Sequence, residues 1–192
     1  MNANFGEELV YWYLRLNGFF LINNFVLHHN NEGRTSDSDL LAVRLPHVYE
    51  ETGGRQEDWD PLLLSHFDSG KIMGIICEVK SGLRFDTNKI FQDFNVKKSV
   101  QRIGFTSNEL DYQEIYHNSM VSFGDYQIAK LLVTRKIHNP KNDCLHIKMV
   151  HIRNFLRKRM HKYMDRKLGD RMFFSSSLLQ YLIWDESLKM NR

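Results

Sequence analysis

Cysteine is scarce in this chain: Cys77 and Cys144 are the only two among 192 residues. They lack C-x-x-C spacing, which excludes a finger-type zinc site. Flanked by apolar, strand-like residues, they read as reduced, buried thiols of a cytoplasmic protein. Proline is scarce too, with three residues, and no low-complexity tract or internal repeat is visible. No apolar run approaches the roughly 20 residues of a membrane span, so no membrane partner is expected. The N-terminus lacks the basic, apolar, small-residue layout of a signal peptide. Neither G-x-x-x-x-G-K-[ST] nor G-x-G-x-x-G occurs, so nucleotide-driven work is not indicated. His28-His29-Asn30-Asn31 shares the letters of an H-N-H nuclease but is followed by no metal-binding helix, and it reads as a loop. What the chain does have is 42% hydrophobic and 12% aromatic residues, enough for the core of one domain with an extension.

The net charge of +3 conceals an asymmetry. Residues 1–80 carry six Lys/Arg against twelve Asp/Glu, whereas residues 81–192 carry twenty against eleven. A basic half beside an acidic half with carboxylates to spare suits a phosphate-rich partner held against a metal.

Leu9, Tyr13 and Leu16 recur at helical spacing, so residues 5–17 read as an amphipathic helix ended by Asn17-Gly18. Phe19–His28 and Asp39–Leu45 read as strands around a polar turn at 29–36. A long connection, 46–70, carries Gly53-Gly54 and six acids (Glu50, Glu51, Glu57, Asp58, Asp60, Asp68). Its length marks it as functional or mobile. Ile72–Lys80 reads as a strand, 88–104 and 108–117 as helices. Ile128–Arg135 and Cys144–Ile152 read as strands joined by a turn at His138-Asn139-Pro140-Lys141-Asn142-Asp143. Helices follow near 153–167 and 175–189. This order predicts an α/β fold, a mixed β-sheet flanked by helices, with residues 1–150 as the domain proper and 151–192 as a basic helical extension packed on it.

The strand Ile72–Lys80 ends in Glu78-Val79-Lys80. Side chains alternate along a strand, so Glu78 and Lys80 share a face, roughly 6–7 Å apart, while Val79 faces away. If this strand pairs antiparallel with the one that Asp39 begins, Asp39 falls beside Glu78 and Lys80. Two carboxylates at one spot suit a hard divalent cation, and Mg²⁺ typically takes one or two carboxylates plus water and phosphate. A neighbouring lysine orients or deprotonates the attacking water and offsets charge on phosphorus. Asp37 shares the Asp39 face and is an alternative ligand. Glu7, three residues after Asn4, also fits a capping box.

Asp39, thirty-eight residues and then Glu78-Val79-Lys80 resembles the signature of the PD-(D/E)xK nuclease superfamily. Gly6-Glu7-Glu8-Leu9 through Tyr13-Leu14 to Gly18-Phe19 resembles the opening helix of its Holliday-junction-resolvase-like members, and Asp39-Leu40-Leu41-Ala42 resembles their Asp-Leu-Ile-Ala strand. The match covers residues 5 to about 104. Ser38 departs from it, replacing the proline of the motif's name, and the 46–70 insertion exceeds the minimal fold. The resemblance implies a restriction-endonuclease-like fold and a Mg²⁺-dependent deoxyribonuclease, with Mn²⁺ as a substitute. It places Asp39, Glu78 and the Val79 carbonyl on the metal, Lys80 on the nucleophilic water, and Glu7 at the edge of the site.

Expected contacts to nucleic acid, DNA rather than RNA, are Arg84 after the strand and Lys97, Lys98, Gln101 and Arg102 on the 88–104 helix. Arg157, Lys158 and Lys162 belong to a run of eight Lys/Arg between 151 and 171, above an apolar stripe of Ile152, Leu156, Met160, Tyr163 and Met164. Leu178, Leu179, Leu182 and Ile183 offer a face for that helix, for a homodimer or for a protein partner. The competing reading is an inactive nuclease-fold subunit that binds nucleic acid or a partner within a larger DNA-processing or defence complex.

Overall fold

The computed structural model describes residues 4–29, 33–136, 143–164 and 176–190. In chain order the elements are α1 (Phe5–Leu16), β1 (Phe20–His29), β2 (Gly33–Arg44), α2 (Pro61–Leu64), β3 (Ile72–Lys80), α3 (Asp93–Ile103), α4 (Glu109–His117), β4 (Met120–Phe123), β5 (Tyr126–Thr134), β6 (Leu145–Lys148), α5 (Met149–Lys162) and α6 (Ser177–Met190). No described helix is long and apolar enough to cross a membrane.

The six strands form one mixed sheet ordered β1-β2-β3-β5-β4. β1, β2 and β3 pair antiparallel, and β3 and β5 pair parallel. The far edge of β5 is shared: β4 covers its first half antiparallel, β6 its second half parallel. β3 is therefore central, and every residue from Met73 to Val79 is buried, as expected of a strand covered on both faces.

Helices cover both faces. On one side α1, α5 and α6 contribute Leu9, Tyr13, Leu14, Ile152, Leu156, Met160, Leu179 and Ile183 to a cluster that includes Ile75, Cys77 and Val79 of β3. The described residues of α5 and α6 thus share the domain's main core. On the other side α3 and α4 pack Val96, Val100, Tyr112 and Ile115 against Leu41, Ile76, Ile128 and Leu132. Because side chains alternate, Val79 belongs to the α1 face while Glu78 and Lys80 project to the α3 face. Gly6 allows α1 to approach the end of β3, since a Cβ there would meet Met149 Cε at 2.8 Å and Ser81 Cβ at 2.9 Å.

Several boundaries depart from the sequence expectation. β2 begins at Gly33 rather than Asp39, because its polar first half extends the hairpin with β1. Residues 30–32, within the expected turn, lie outside the described residues. α3 begins at Asp93 rather than 88, since Phe91 sits at φ 51°, a conformation no α-helix accommodates. The strand expected over Cys144–Ile152 ends at Lys148, where α5 starts. β4 has no counterpart among the expected elements. Cys77 is buried as expected, but Cys144 is half-buried.

The 46–70 connection is pinned rather than loose. Asp58 and Asp60 are both buried within it. Asp58 accepts from Lys162 Nζ and the Tyr163 hydroxyl, each at 2.7 Å, and from the Arg55 amide. Asp60 caps α2 by accepting from the Leu62 amide, with Pro61 opening the helix.

Candidate metal centre

The β2–β3 ladder runs from Arg44↔Met73 to Leu40↔Cys77 and stops. One residue further along this register, Asp39 stands opposite Glu78. The next amide of β3 on that side, Val79 N–H, lies beyond the last pair of this ladder. The Asp39 carboxylate accepts it, at 2.6 Å. A strand residue directs its N–H and C=O toward the same neighbour, so the Val79 carbonyl faces the Asp39 side as well. The break is mirrored in β1, where Asn24, opposite Asp39, takes a left-handed conformation at φ 50°. Asn tolerates that region better than most residues.

Lys80 closes the arrangement. Its ammonium donates to Glu78 Oε2 at 2.6 Å and to Asp39 Oδ2 at 3.2 Å. Burial works to lower the Lys80 pKa, but the Glu78 and Asp39 carboxylates outweigh it and hold the ammonium well above the ordinary lysine range. The three groups sum to one negative charge in a partly dry place, with the Glu78 side chain 10% exposed and Asp39 14%. The neighbouring Cys77 thiol is pushed up by burial, and Asp39 and Glu78 add to that push.

These residues fit a hard divalent cation. Two carboxylates already converge on one positive charge, and carboxylate oxygens are the donors such a cation prefers. Among the described residues no third His, Cys, Asp or Glu joins them.

Glu7 is held near the same end of the sheet. Asn4 caps α1 by accepting from the Gly6 amide at 3.1 Å, and Ser81 at the exit of β3 donates to the same Asn4 oxygen at 3.2 Å. Glu7 itself lines a separate cavity of about 200 Å³ with Glu8, Tyr11, Asn24 and Leu40. It does not join the Asp39–Glu78 pair in a metal-holding group. The side chain of Asp37 lies outside the described residues.

The basic residues separate. α3 crosses β1, β2 and β3 on the face that carries Glu78 and Lys80. On it, Arg102 lies 5.4 Å from the Phe25 ring of β1, and Gln101 is exposed. Lys97 turns to α4, bonding Glu109 at 2.5 Å, while Lys98 lies over Phe94. Arg84 is exposed beyond β3. On α5, Arg157 pairs with Glu186 and Lys162 with Asp58, whereas Lys158 is exposed. Of the 151–171 run, residues 165–171 lie outside the described residues.

A second polar cluster has no signal in the sequence. Asp60 Oδ2 accepts from the Tyr13 hydroxyl at 2.7 Å and lies 2.5 Å from His151 Nε2. Burial and Asp60 together drive the Tyr13 hydroxyl far above its ordinary pKa. The partners of Asp60 are 47 and 91 residues away, so no local spacing announces them. No family model, curated protein or solved structure matches this chain.

Proposed function

We propose that this protein is a metal-dependent nuclease of the PD-(D/E)xK type, with a restriction-endonuclease-like fold, that hydrolyses phosphodiester bonds in DNA. The observation that carries the reading is the convergence of Asp39 and Glu78 on the Lys80 ammonium at the point where the β2–β3 ladder opens. A structural ion pair needs one carboxylate, whereas a phosphodiesterase needs the negative surplus that two provide.

In this reading Asp39, Glu78 and the Val79 carbonyl would hold Mg²⁺ or Mn²⁺. The bound ion would supply Lewis-acid polarisation of the phosphoryl oxygen and a more acidic water. The Val79 amide fixes the Asp39 carboxylate, so that oxygen is oriented before any ion arrives. Lys80 in its charged form orients water and offsets charge on the phosphorus oxygens; it does not serve as the base while both carboxylates face it. Glu7 lines a separate cavity near the same end of the sheet, and Arg84, Gln101 and Arg102 would supply donors to flanking phosphates.

The test is cleavage of a panel of DNA and RNA structures with Mg²⁺ or Mn²⁺, repeated with chelator and with Asp39→Ala, Glu78→Ala and Lys80→Ala. Each variant is expected to lose on the order of 10²-fold or more, the scale of removing one electrostatic stabiliser. Undiminished cleavage in all three would refute the site. Metal binding without cleavage of any member of the panel would favour the inactive subunit.

A further inference from the structure

A groove of about 970 Å³ runs along α5, outside the metal centre. One wall is a face of α5 carrying His151, Asn154, Lys158 and His161, spaced three, four and three residues apart. At a 1.5 Å rise per residue these donors span roughly 15 Å. The other wall is the 57–61 segment with Trp59.

Four carboxylates also line the groove, Glu57, Asp58, Asp60 and Glu186, and three of them are already committed. Asp58 is held by Lys162, Tyr163 and Arg159, Asp60 by Tyr13 and His151, and Glu186 by Arg157. What the groove presents to a ligand is therefore Lys158 and His161 against Glu57 alone. Its aromatic rings are fixed in advance. Trp59 is stacked by the buried Arg44 guanidinium at 4.1 Å, and Phe155 packs edge-on against Tyr13 at 5.3 Å. A lysine and a histidine in line beside immobilised aromatic rings suit a backbone with splayed bases more than a paired duplex. The groove follows α5 on the α1 face of the sheet, opposite the face that carries Glu78 and Lys80. α5 starts directly after Lys148, which shares a register row with Lys80 through Thr134.

We infer that this groove binds single-stranded nucleic acid, with phosphates along Lys158 and His161 and bases against Trp59 and Phe155. The choice of polymer rests on the nuclease reading; the binding itself does not. The experiment is fluorescence anisotropy of a labelled single strand and of the matching duplex with the full chain in chelator, over a range of salt. The wild type is expected to prefer the single strand. The double variant Lys158→Ala/His161→Ala should bind about tenfold more weakly, with a salt slope reduced by about one. Glu57→Lys, on the facing wall, should tighten binding. A wild type that prefers duplex or binds no single strand overturns the inference, as does unchanged affinity in both variants. Groove-dependent binding without cleavage of any diester would sink the nuclease reading alone. Cleavage with groove-independent binding would sink this inference alone.

Discussion

Asp58→Asn probes the clamp that holds the 46–70 connection to α5. The Asp58 side chain is fully buried, as is nearly all of Arg159, 3.8 Å away. Burial pushes the Asp58 carboxyl up, but Lys162, Tyr163, the Arg55 amide and Arg159 overcome this and bring its pKa down from 3.8 to about 2. At about 1.4 kcal/mol per unit, that difference contributes about 2 kcal/mol of stability at neutral pH. A carboxylate with a lowered folded pKa stabilises above its unfolded value, so this contribution is complete above pH 3.8 and disappears as pH falls through about 2. The substitution also leaves Arg159 without its buried counter-charge, and breaking such a pair costs about 3–5 kcal/mol in total. Urea unfolding of wild type and Asp58→Asn should therefore differ by about 3–5 kcal/mol at pH 7, with about 2 kcal/mol of that gap closing toward pH 2. A gap below about 0.5 kcal/mol, the scale of an ordinary surface change, would refute the clamp. A full-sized gap that ignores pH would refute its electrostatic origin.

Lys80→Met removes the cation that Asp39 and Glu78 now share, so Mn²⁺ binding by calorimetry should tighten by about tenfold, on the order of 1.4 kcal/mol, while cleavage is lost; weaker binding would show that the ammonium does not compete for the carboxylates. Gly6→Ala forces a Cβ to within 2.9 Å of Ser81 Cβ. Overpacking of that kind costs about 1–3 kcal/mol, and an unchanged melting temperature would show that α1 does not press on the end of β3. Lys130 is fully buried in β5, and burial pulls its pKa down from 10.5 to about 8, against smaller upward pushes from Cys144 and Asp143. Because the unfolded chain binds the proton more tightly, the wild type should gain stability as pH rises from 8 to 10.5. Lys130→Met should abolish that rise in a denaturation–pH profile, and a variant whose profile still climbs would place its origin elsewhere.

β3 is legible to the residue, Ile72–Lys80, because an unbroken apolar run bounded by Gly70 and Ser81-Gly82 has few other ways to fold. α1 is legible for a similar reason, its apolar spacing matching one helix face. Other elements escape for identifiable causes. β4 is four residues at the sheet's edge, too short for any alternation to register. Val150 and Ile152 look like strand residues, yet Ile152 is buried in a helix against the sheet and tertiary packing overrides its local preference. The clamp at Asp58 reaches Tyr163 across 105 residues, and no periodicity encodes a contact of that range.

The candidate site is partly legible because its unusual feature is locally destabilising. Charges at positions 78 and 80 of a buried strand are unfavourable unless something nearby compensates, and the alternation of side chains fixes which face they share. Their partner is located only through the register: Asp39 meets Glu78 because Leu40 pairs with Cys77. What no spacing reveals is why the site opens there. β2 and β3 diverge just beyond that pair, the freed Val79 amide takes the Asp39 carboxylate, and Lys80 neutralises only half of the negative charge that results. A protein selecting for stability alone would replace one carboxylate and close the ladder. Retaining both keeps the end of the sheet short of one positive charge, and it is on this shortfall that the proposed divalent ion and its phosphate rest.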